Sequence, residues 1–370
     1  MTHVLSGDRA SETAGNFSDS DGRSGSIPAR VRGEFNDLRE SMLSDEKRKR
    51  LSGLPFPFRL VIQWWWLLRA LFLNLSPTRR ILLMAGIVLS GLRFEFSPQP
   101  VTGWRLSGDL TIVGLLSILF VLMLELKDKL LAKSELQDGR SVQRALMPER
   151  SPEIAGWRVW LFTRPANDVG GDLVDCIPLD HSGSAILLAD VAGKGLKAAL
   201  LMAKLQATIR ALVPLCRSNP QLLHEVNQAL RRDNLPQFFA SLVYLQLQPG
   251  SASLRAVNAG HPPPIVVRQG GIEQLGKGGP ALGLMQEAEY DEKVIELARG
   301  EIFLLYTDGL TEAQNPMGDF FGEDRLRSVI LARASQTPAE LGERLVSACD
   351  LFQEPGKAHD DLSLVILQRV

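Results

Sequence analysis

The sequence DVGGDLVD, from Asp168 to Asp175, decides the fold, because three later segments repeat its chemistry. They are LADVAGKG, YTDGLTEA and HDDLSLVIL, which begin at Leu188, Tyr306 and His359. Each segment places one or two carboxylates at the end of an apolar, strand-like run, beside glycine or another acid. Carboxylates that are buried together cost roughly several kcal/mol each unless a cation compensates their charge. The four segments therefore predict a site for hard divalent metal ions.

Two of these segments place a single acid at the end of a strand-like run. Asp190 ends an aliphatic run, and Gly193 and Gly195 then allow a tight turn into a helix. Such a turn leaves a backbone carbonyl beside the carboxylate, and oxygen ligands of this kind suit Mg²⁺ or Mn²⁺. Asp308 precedes Gly309, and this dipeptide is above all a turn signal. Taken singly, each acid fits a turn or a helix cap better than a metal site. Only their joint occurrence favours the metal site.

The other two segments carry paired acids. Asp168 and Asp172 are separated by two glycines, the second being Gly171, which would bring the backbone close to the site. Asp172 is the better candidate for the site, and Asp168 is expected to form the turn. Asp360 and Asp361 precede the last strand, where adjacent side chains point to opposite faces. One of them should therefore reach the site, while the other braces it.

In order and spacing, these segments resemble the metal-dependent serine/threonine protein phosphatases of the PPM (type 2C) superfamily, in the bacterial SpoIIE-type branch. The resemblance covers about Gln143 to Val370 and rests on VGGDLVD, LADVAGKGLKAALLMAK, FFASLVYLQL with NAGHPPP, GPALGL, LLYTDGLTEA and HDDLSLVIL. It implies an α+β fold in which two stacked antiparallel β-sheets are flanked by helices. It also implies two Mn²⁺ or Mg²⁺ ions at one edge of the sheets.

The resemblance assigns roles to individual residues. Asp190 would bridge the two metals, and Asp190 and Asp172 would be the catalytic acids. The other implied ligands are the backbone carbonyl of Val191, Asp308, Asp360, Asp172 through water, and Asp361 as the fallback for Asp360. The residues expected to shape turns near the site are Gly171, Gly193, Gly309, Asn258 and His261. A water molecule shared by two cations has a strongly lowered pKa and would attack the phosphorus of a phosphoserine or phosphothreonine in line.

One departure leaves the source of the leaving-group proton open. Animal relatives carry a histidine just after the bridging acid, where this chain has Val191 to Lys194. Arg164 could bind phosphate, although an ordinary surface arginine is the better interpretation. Cys176 is interpreted as a small core residue and not as a nucleophile.

The composition excludes several classes of function. The chain has 370 residues, 45% of them hydrophobic, and a formal net charge of -1, so nothing predicts a nucleic-acid partner. The three cysteines form no CxxC pair, which argues against a zinc knuckle or a disulfide framework. Residues 1–50 form a basic tail rich in serine and glycine, with no signal peptide, and they are expected to be disordered.

Residues 51–126 are predicted to form a membrane region. A tryptophan-rich stretch around Trp65 is typical of an interfacial helix, and two apolar stretches near 81–97 and 109–126 are predicted to span the bilayer. Basic residues flank both ends, which predicts a multi-pass protein of the inner (cytoplasmic) membrane with its phosphatase domain in the cytoplasm. The alternative is a buried helical hairpin in a soluble N-terminal domain.

Residues 127–148 are predicted to form a linker helix, followed by a phosphatase domain at 149–370. Leucines recur in the linker at helical spacing among charges, which fits a homodimer seam and equally a solvated linker helix. The favoured function is a membrane-anchored phosphatase acting on a phosphoprotein, which the branch implies to be an anti-sigma-factor antagonist. The alternative is a catalytically silent membrane-tethered scaffold that binds a regulatory partner. A plain metal-binding structural domain is the third possibility.

Overall fold

The computed structural model describes residues 71–96, 106–179, 183–232, 238–332, 337–353 and 360–370, with single positions at 62, 65, 66, 68, 69 and 358. The predicted disordered tail and most of the tryptophan-rich stretch lie outside these residues. The chain divides into two compact units, Met1–Asp128 and Lys129–Val370.

In the described part of the first unit, helical residues at 71–74 precede two longer helices that are joined by a small hairpin. Its elements are α1 (Pro77–Gly91), β1 (Arg93–Phe96), β2 (Leu106–Asp109) and the first part of α2 (Thr111–Leu146), with β1 and β2 antiparallel. The two helices touch at Gly86 and Gly114, where a Cβ on Gly114 would overlap the Gly86 carbonyl oxygen. Arg79 closes the other end of the pair with ion pairs of 2.6 Å to both Glu125 and Asp128.

The predicted span near 81–97 was wrong in its extent. Helix α1 has 15 residues and ends at Gly91, and Arg93–Phe96 form a strand because charged and aromatic side chains alternate there. Among the residues that the structure describes, Gly195–Leu215 is the one helical segment long and apolar enough to cross a membrane. That segment packs on a sheet of the second unit, and neither predicted span meets the same standard.

The second unit is built on two five-stranded antiparallel sheets. One has the order β10-β7-β6-β5-β4, and the other has the order β3-β12-β11-β8-β9. The strands are β3 (Trp157–Arg164), β4 (Leu173–Pro178), β5 (Ser184–Val191), β6 (Ala240–Leu247), β7 (Ser253–Ala259), β8 (Ile265–Arg268), β9 (Gly271–Gln274), β10 (Glu292–Glu296), β11 (Ile302–Tyr306) and β12 (Leu362–Arg369). Their inner faces share one core, which includes Ile186, Val243, Phe303 and Val365.

Helices cover both outer faces. The described helices after α2 are α3 (Gly195–Leu212), α4 (Asn219–Arg232), α5 (Asp308–Thr311), α6 (Gly322–Leu331) and α7 (Pro338–Phe352), with a 3-10 turn at Val213–Leu215. α3 and α4 bury their apolar stripes on the first sheet, while α6 and α7 cover the second. The predicted architecture of two stacked antiparallel sheets flanked by helices is confirmed.

Candidate metal centre

The acid-bearing segments meet at one end of the β-sandwich. Asp190 lies near the end of β5, and Asp172 immediately precedes β4, the strand paired with it. In the other sheet, Asp308 follows β11, while Asp360 and Asp361 precede its partner β12. In an antiparallel pair, the end of one strand lies beside the start of the next. Two strand pairs, one from each sheet, therefore deliver the five acids to the same edge.

Three of the acids, Asp190, Asp308 and Asp360, form a group of like charges at this edge. Burial, and after it three neighbouring carboxylates, raise the pKa of Asp190 to about 7. The neighbours are Asp308, Asp360 and Asp361. Burial, followed by the charge of Asp360, also raises the pKa of Asp308. The neighbouring carboxylates thus make the ionised forms of Asp190 and Asp308 less favourable, which is the electrostatic situation that a bound cation relieves.

A lysine from the β5–α3 turn already approaches this group. The Lys194 ammonium nitrogen lies 2.8 Å from Oδ2 of Asp360, and its charge lowers the pKa values of Asp190 and Asp308 against the stronger raising effects. Both partners are largely exposed, so this ion pair stabilises the fold little. Lys194 stands in the region where animal relatives carry a histidine.

Asp361 faces the backbone of the 166–171 loop instead. Its Oδ1 accepts a hydrogen bond of 2.7 Å from the Ala166 N–H, and its Oδ2 accepts one of 2.6 Å from the Gly171 N–H. These bonds fix the loop that carries Asp172. The geometry therefore places Asp361 in a bracing position and leaves Asp360 directed to the group around Asp190.

Asp172 is buried and hydrogen-bonded to a residue that sequence reasoning missed. Its Oδ2 accepts a hydrogen bond of 2.9 Å from the Thr307 hydroxyl, which joins the two sheets at the site. The Thr307 oxygen in turn accepts the backbone N–H of Ser363 at 2.9 Å. Burial, then the charge of Asp190, raises the pKa of Asp172 well above its ordinary value. Thr307 lies within the quoted YTDGLTEA segment, but nothing in that pattern marks its hydroxyl as the partner of a distant acid.

Three glycines allow the backbone to approach at the site. A Cβ on Gly171 would lie 3.0 Å from the carbonyl oxygen of Val191, the predicted backbone ligand. A Cβ on Gly309 would overlap the carbonyl oxygen of Asp361. Gly193 has φ +119°, which L side chains rarely adopt, and it turns the chain from β5 into α3.

The Asn258 side chain shapes the turn that follows β7. Its Oδ1 accepts the His261 N–H at 2.8 Å, and its Nδ2 donates to the His261 carbonyl at 3.1 Å.

The His261 ring is buried and bridges two elements. Its Nδ1 lies 2.8 Å from the Ser241 hydroxyl, and its Nε2 lies 3.1 Å from the Tyr306 carbonyl oxygen. Sequence reasoning did not single out Ser241.

A cleft of about 540 Å³ opens beside these residues. It is lined by Asp190, Phe239, Ser241, Gly260, His261, Pro262, Pro263, Lys277, Gly278, Gly279, Asp308 and Glu312. The cleft therefore joins the acids of the site to the His261 turn and to a glycine-rich loop that carries Lys277.

The donor set fits hard divalent cations. Carboxylate and carbonyl oxygens are the ligands that Mg²⁺ and Mn²⁺ prefer, and the mutual repulsion at Asp190 calls for positive charge. Within the described residues, no three or more of the histidine, cysteine, aspartate and glutamate side chains are already arranged to hold a metal ion. The fit therefore rests on the chemistry of the donors and on their mutual electrostatic effects.

The C-terminal end of α2 contacts the glycine pair of the opening segment. The Gln143 side chain donates to the Gly170 carbonyl at 2.8 Å and accepts from the Gly170 N–H at 3.2 Å. Gln143 is 6% exposed, so both bonds are sheltered from water. The end of the helix and the loop carrying Asp172 are thus held in fixed register.

Three other residues that the sequence raised play no part in the cleft lining. The Arg164 guanidinium forms a two-bond ion pair with Asp350, at 3.0 and 2.6 Å. Burial raises the pKa of the Cys176 thiol to about 11, so the thiolate is scarce near neutrality. Asp168 is half-buried on the loop, near the glycine pair.

Relatives among characterised proteins match the same part of the chain. Protein IcfG of Synechocystis sp. is 27% identical over 229 residues, which are 54% of this chain and 36% of IcfG. Phosphoserine phosphatase RsbU of Bacillus subtilis is 25% identical, over 64% of this chain and 70% of RsbU. Phosphoserine phosphatase RsbP of the same organism is 22% identical, over 65% of this chain and 59% of RsbP. The chain thus spans less than two thirds of IcfG and of RsbP.

Solved structures share the fold. The SiaA-PP2C domain of Pseudomonas aeruginosa superposes with a TM-score of 0.58 at 23% identity, covering 66% of this chain and 98% of that domain. The RsbU and RsbW domains of Rv1364c from Mycobacterium tuberculosis give a TM-score of 0.50 at 24% identity, over 59% of this chain and 61% of that one. A family model described as Stage II sporulation protein E (SpoIIE) matches residues 180–370, more than half of the chain. The chain therefore belongs to the SpoIIE family.

Proposed function

We propose that the second unit is a metal-dependent protein serine/threonine phosphatase that hydrolyses a phosphoserine or phosphothreonine on a signalling protein. The observation that carries this proposal is the convergence of Asp190, Asp308 and Asp360 at one edge of the two sheets, beside an open cleft. Membership of the SpoIIE family supports it, as do two relatives named as phosphoserine phosphatases.

The residues that would hold two Mn²⁺ or Mg²⁺ ions are those of the cleft edge. They are Asp190, the Val191 carbonyl, Asp308 and Asp360, with Asp172 acting through water. The bound ions would supply positive charge that lowers the pKa of a water molecule and neutralises the phosphoryl group. The protein would hold Asp172 in place without help from the ions. Asp361 fixes the 166–171 loop by accepting backbone hydrogen bonds, and the Thr307 hydroxyl donates to Asp172.

The second task of the chain is to admit a phosphorylated segment. The cleft is open at its rim, where Phe239 offers an apolar surface and Lys277 a positive charge. The exposed Lys277 lies in the cleft lining, where its ammonium would attract an anionic substrate. Arg164 is engaged with Asp350 and is not needed for this role.

The substrate that the family branch implies is an anti-sigma-factor antagonist phosphorylated on serine or threonine. This proposal rests on likeness to RsbU and RsbP, not on a recognition surface in the chain. A panel of phosphorylated antagonist proteins from the source organism would test it. Selective dephosphorylation of one member would support the proposal, and equal rates on all members and on unrelated phosphopeptides would oppose it.

Membrane anchoring through the first unit remains part of the proposal. Most large apolar side chains of α1 and of the start of α2 are exposed; they include Ile81, Met84, Ile87, Val88, Ile112, Leu115, Leu116, Leu119, Phe120, Leu122 and Met123. Close helix contact through Gly86 and Gly114 is also typical of helices packed in lipid. Reporter fusions after Gly103 and at the C-terminus should fall on opposite sides of the inner membrane if both helices cross it.

A homodimer through the linker part of α2 is proposed on a similar basis. Leu130, Leu131, Val142 and Leu146 are exposed along this helix and would be covered by a second copy. The mass of the detergent-solubilised chain, measured by light scattering, distinguishes a dimer from a solvated monomeric helix. Replacing Leu130 and Leu131 by lysine should then give a monomer.

The activity itself is tested with the full chain in detergent. We expect phosphate release from a phosphoserine peptide that requires Mn²⁺ and that Asp190→Ala abolishes. Activity that persists unchanged in this variant would refute the metal-dependent mechanism. A folded wild-type chain with no activity towards phosphopeptides or p-nitrophenyl phosphate would favour the catalytically silent scaffold.

A further inference from the structure

A chain of hydrogen bonds runs from the cleft into the second sheet. It begins at the Ser241 hydroxyl, passes through the buried imidazole of His261, and ends at the backbone carbonyl of Tyr306. The Asn258 side-chain amide bonds to both the N–H and the carbonyl of His261. The residue is therefore held by its backbone as well as by its two ring nitrogens. Nothing in the metal-ligand roles proposed above uses this arrangement.

The direction of these bonds follows from the last partner. A carbonyl oxygen only accepts, so Nε2 of His261 carries a proton and donates it to Tyr306. Burial lowers the pKa of His261 to about 4, so the ring is neutral and its Nδ1 has no proton. Nδ1 must then accept, and the Ser241 hydroxyl donates its only proton to it. The Ser241 oxygen is left with lone pairs alone to offer to the cleft.

The position of Ser241 makes the direction of this hydrogen bond relevant to the reaction. Ser241 on β6 lies directly opposite Asp190 on β5 in an antiparallel pair. Side chains at opposed positions project from the same face, with Cβ atoms about 5 Å apart. Ser241, Asp190 and His261 accordingly line the same cleft. An acceptor oxygen is thus fixed beside the central acid of the site.

We propose that Ser241 is a positioning residue that accepts a hydrogen bond from the attacking water and orients it for in-line attack. This inference rests on the phosphatase function proposed above. A group that can only accept is repelled by phosphoryl oxygens, which also only accept. Ser241 should therefore orient the nucleophile without contributing to substrate binding. The hydrogen bond to His261 keeps the Ser241 hydroxyl proton directed away from the phosphoryl group.

A covalent role for Ser241 is the competing chemistry. Attack by its oxygen on phosphorus would transfer the hydroxyl proton to His261 and create an imidazolium in a buried site. Nε2 is already committed to Tyr306, so the added proton would stay on Nδ1 with its charge unpaired. The structure therefore favours the positioning role, and a stable phosphoseryl adduct at Ser241 in mass spectra would overturn it.

The test compares Ser241→Ala with Ser241→Thr, which restores a hydroxyl, in the full chain with Mn²⁺ and a phosphoserine peptide. We expect Ser241→Ala to lower kcat roughly 10- to 100-fold while KM and the calorimetric Kd for Mn²⁺ change less than about threefold. Ser241→Thr should recover most of the loss. Ser253→Ala is the matched control, because Ser253 begins β7 at the other end of the same sheet and bonds to Ser251.

The outcomes separate this inference from the proposed function. A rise in KM without a fall in kcat would assign Ser241 to substrate binding and overturn the positioning role. Equal loss in the alanine and threonine variants, both folded, would also overturn it. An inactive wild-type chain would overturn the proposed function and this inference together. In ¹⁵N spectra of histidine-labelled protein, His261 should show a protonated Nε2 and a bare Nδ1, and the reverse tautomer would refute the hydrogen-bond chain independently of activity.

Discussion

The site contains two groups of acids that differ in the groups surrounding them. Asp190 and Asp308 line the cleft, and the charge of Asp360 raises the pKa of both. Like charges and Lys194 surround this group, while Asp308 and Asp360 each accept one backbone N–H. Asp361 and Asp172 face the protein, where backbone N–H groups and the Thr307 hydroxyl donate to them. We call the first group the cleft acids and the second the supporting acids. Protein donors hold Asp361 and Asp172, which should stabilise the fold, whereas like charges oppose the ionisation of Asp190 and Asp308, which should destabilise the fold in the absence of a cation.

The largest effect should come from a cleft acid. Asp308→Asn removes the charge of a proposed metal ligand, so we expect phosphatase activity to fall on the order of 10³-fold. Stability without metal should not fall, because the change also removes repulsion from Asp360. Peptide dephosphorylation and urea unfolding in EDTA measure the two quantities. A clear loss of metal-free stability would show that the backbone hydrogen bond to Asp308 outweighs this repulsion, and that Asp308 belongs with the supporting acids.

Replacing a supporting acid should reduce stability more, and activity less, than replacing a cleft acid. Asp361→Ala leaves the N–H groups of Ala166 and Gly171 without their acceptor, which should reduce the free energy of unfolding by about 3 kcal/mol even in EDTA. Activity should fall roughly 10- to 100-fold as the loop that carries Asp172 loosens. The same urea titration measures stability. A folded Asp361→Ala chain of wild-type stability would remove the distinction between the two groups.

A smaller effect is expected at Gly171, where the loop that carries Asp172 approaches the Val191 carbonyl. Gly171→Ala places a Cβ about 3.0 Å from the Val191 carbonyl oxygen and presses on Ala198, so the neighbours must shift. We expect the Kd for Mn²⁺ to rise about tenfold with little change in fold. Gly270→Ala is the matched control, because a Cβ there meets nothing within 4 Å. Equal Kd values for the two variants would show that the Val191 carbonyl does not bind metal.

The smallest effect concerns pH in the absence of metal. The pKa of Asp190 is about 7 in the folded chain and 3.8 in its ordinary state, so the folded chain holds an extra proton between these values. Stability in EDTA should therefore decrease as pH rises through this window, and Asp190→Asn should flatten the decrease by a few degrees in Tm. Thermal melts from pH 5 to 8 check this. A wild-type Tm that rises over the window, relative to Asp190→Asn, would contradict the repulsion among the cleft acids.

The acids could be proposed from the sequence because their signals are local. An acid that follows an apolar strand and precedes a turn containing glycine, such as Asp190 or Asp308, can be recognised from the strand and turn patterns of the local sequence. The hydroxyls of Ser241 and Thr307 escaped notice because their partners, His261 and Asp172, lie far away in sequence and meet them only in the folded sandwich. No periodicity encodes such a pairing.

The N-terminal unit shows the limit of reading hydropathy. The apolar stretch after Ile81 predicts a helix, and α1 is one, but alternation at Arg93–Phe96 changes the period from helix to strand before the stretch ends. Arg164 offers a second example, since only the position of Asp350 on α7 decides that its guanidinium is engaged. Both outcomes depend on neighbours that the local sequence does not reveal.

The pairing of β5 with β6 makes the site sensitive to errors that leave a folded protein. Because side chains alternate along a strand, a shift of one residue would replace Ser241 opposite Asp190 by Ala240 or Leu242. Short insertions or deletions between α4 and β6 that cause such a shift could keep the sheet and the helices, yet would separate the acceptor oxygen from the acids. Mutational scans of that connection should therefore contain soluble, inactive variants with intact cleft residues.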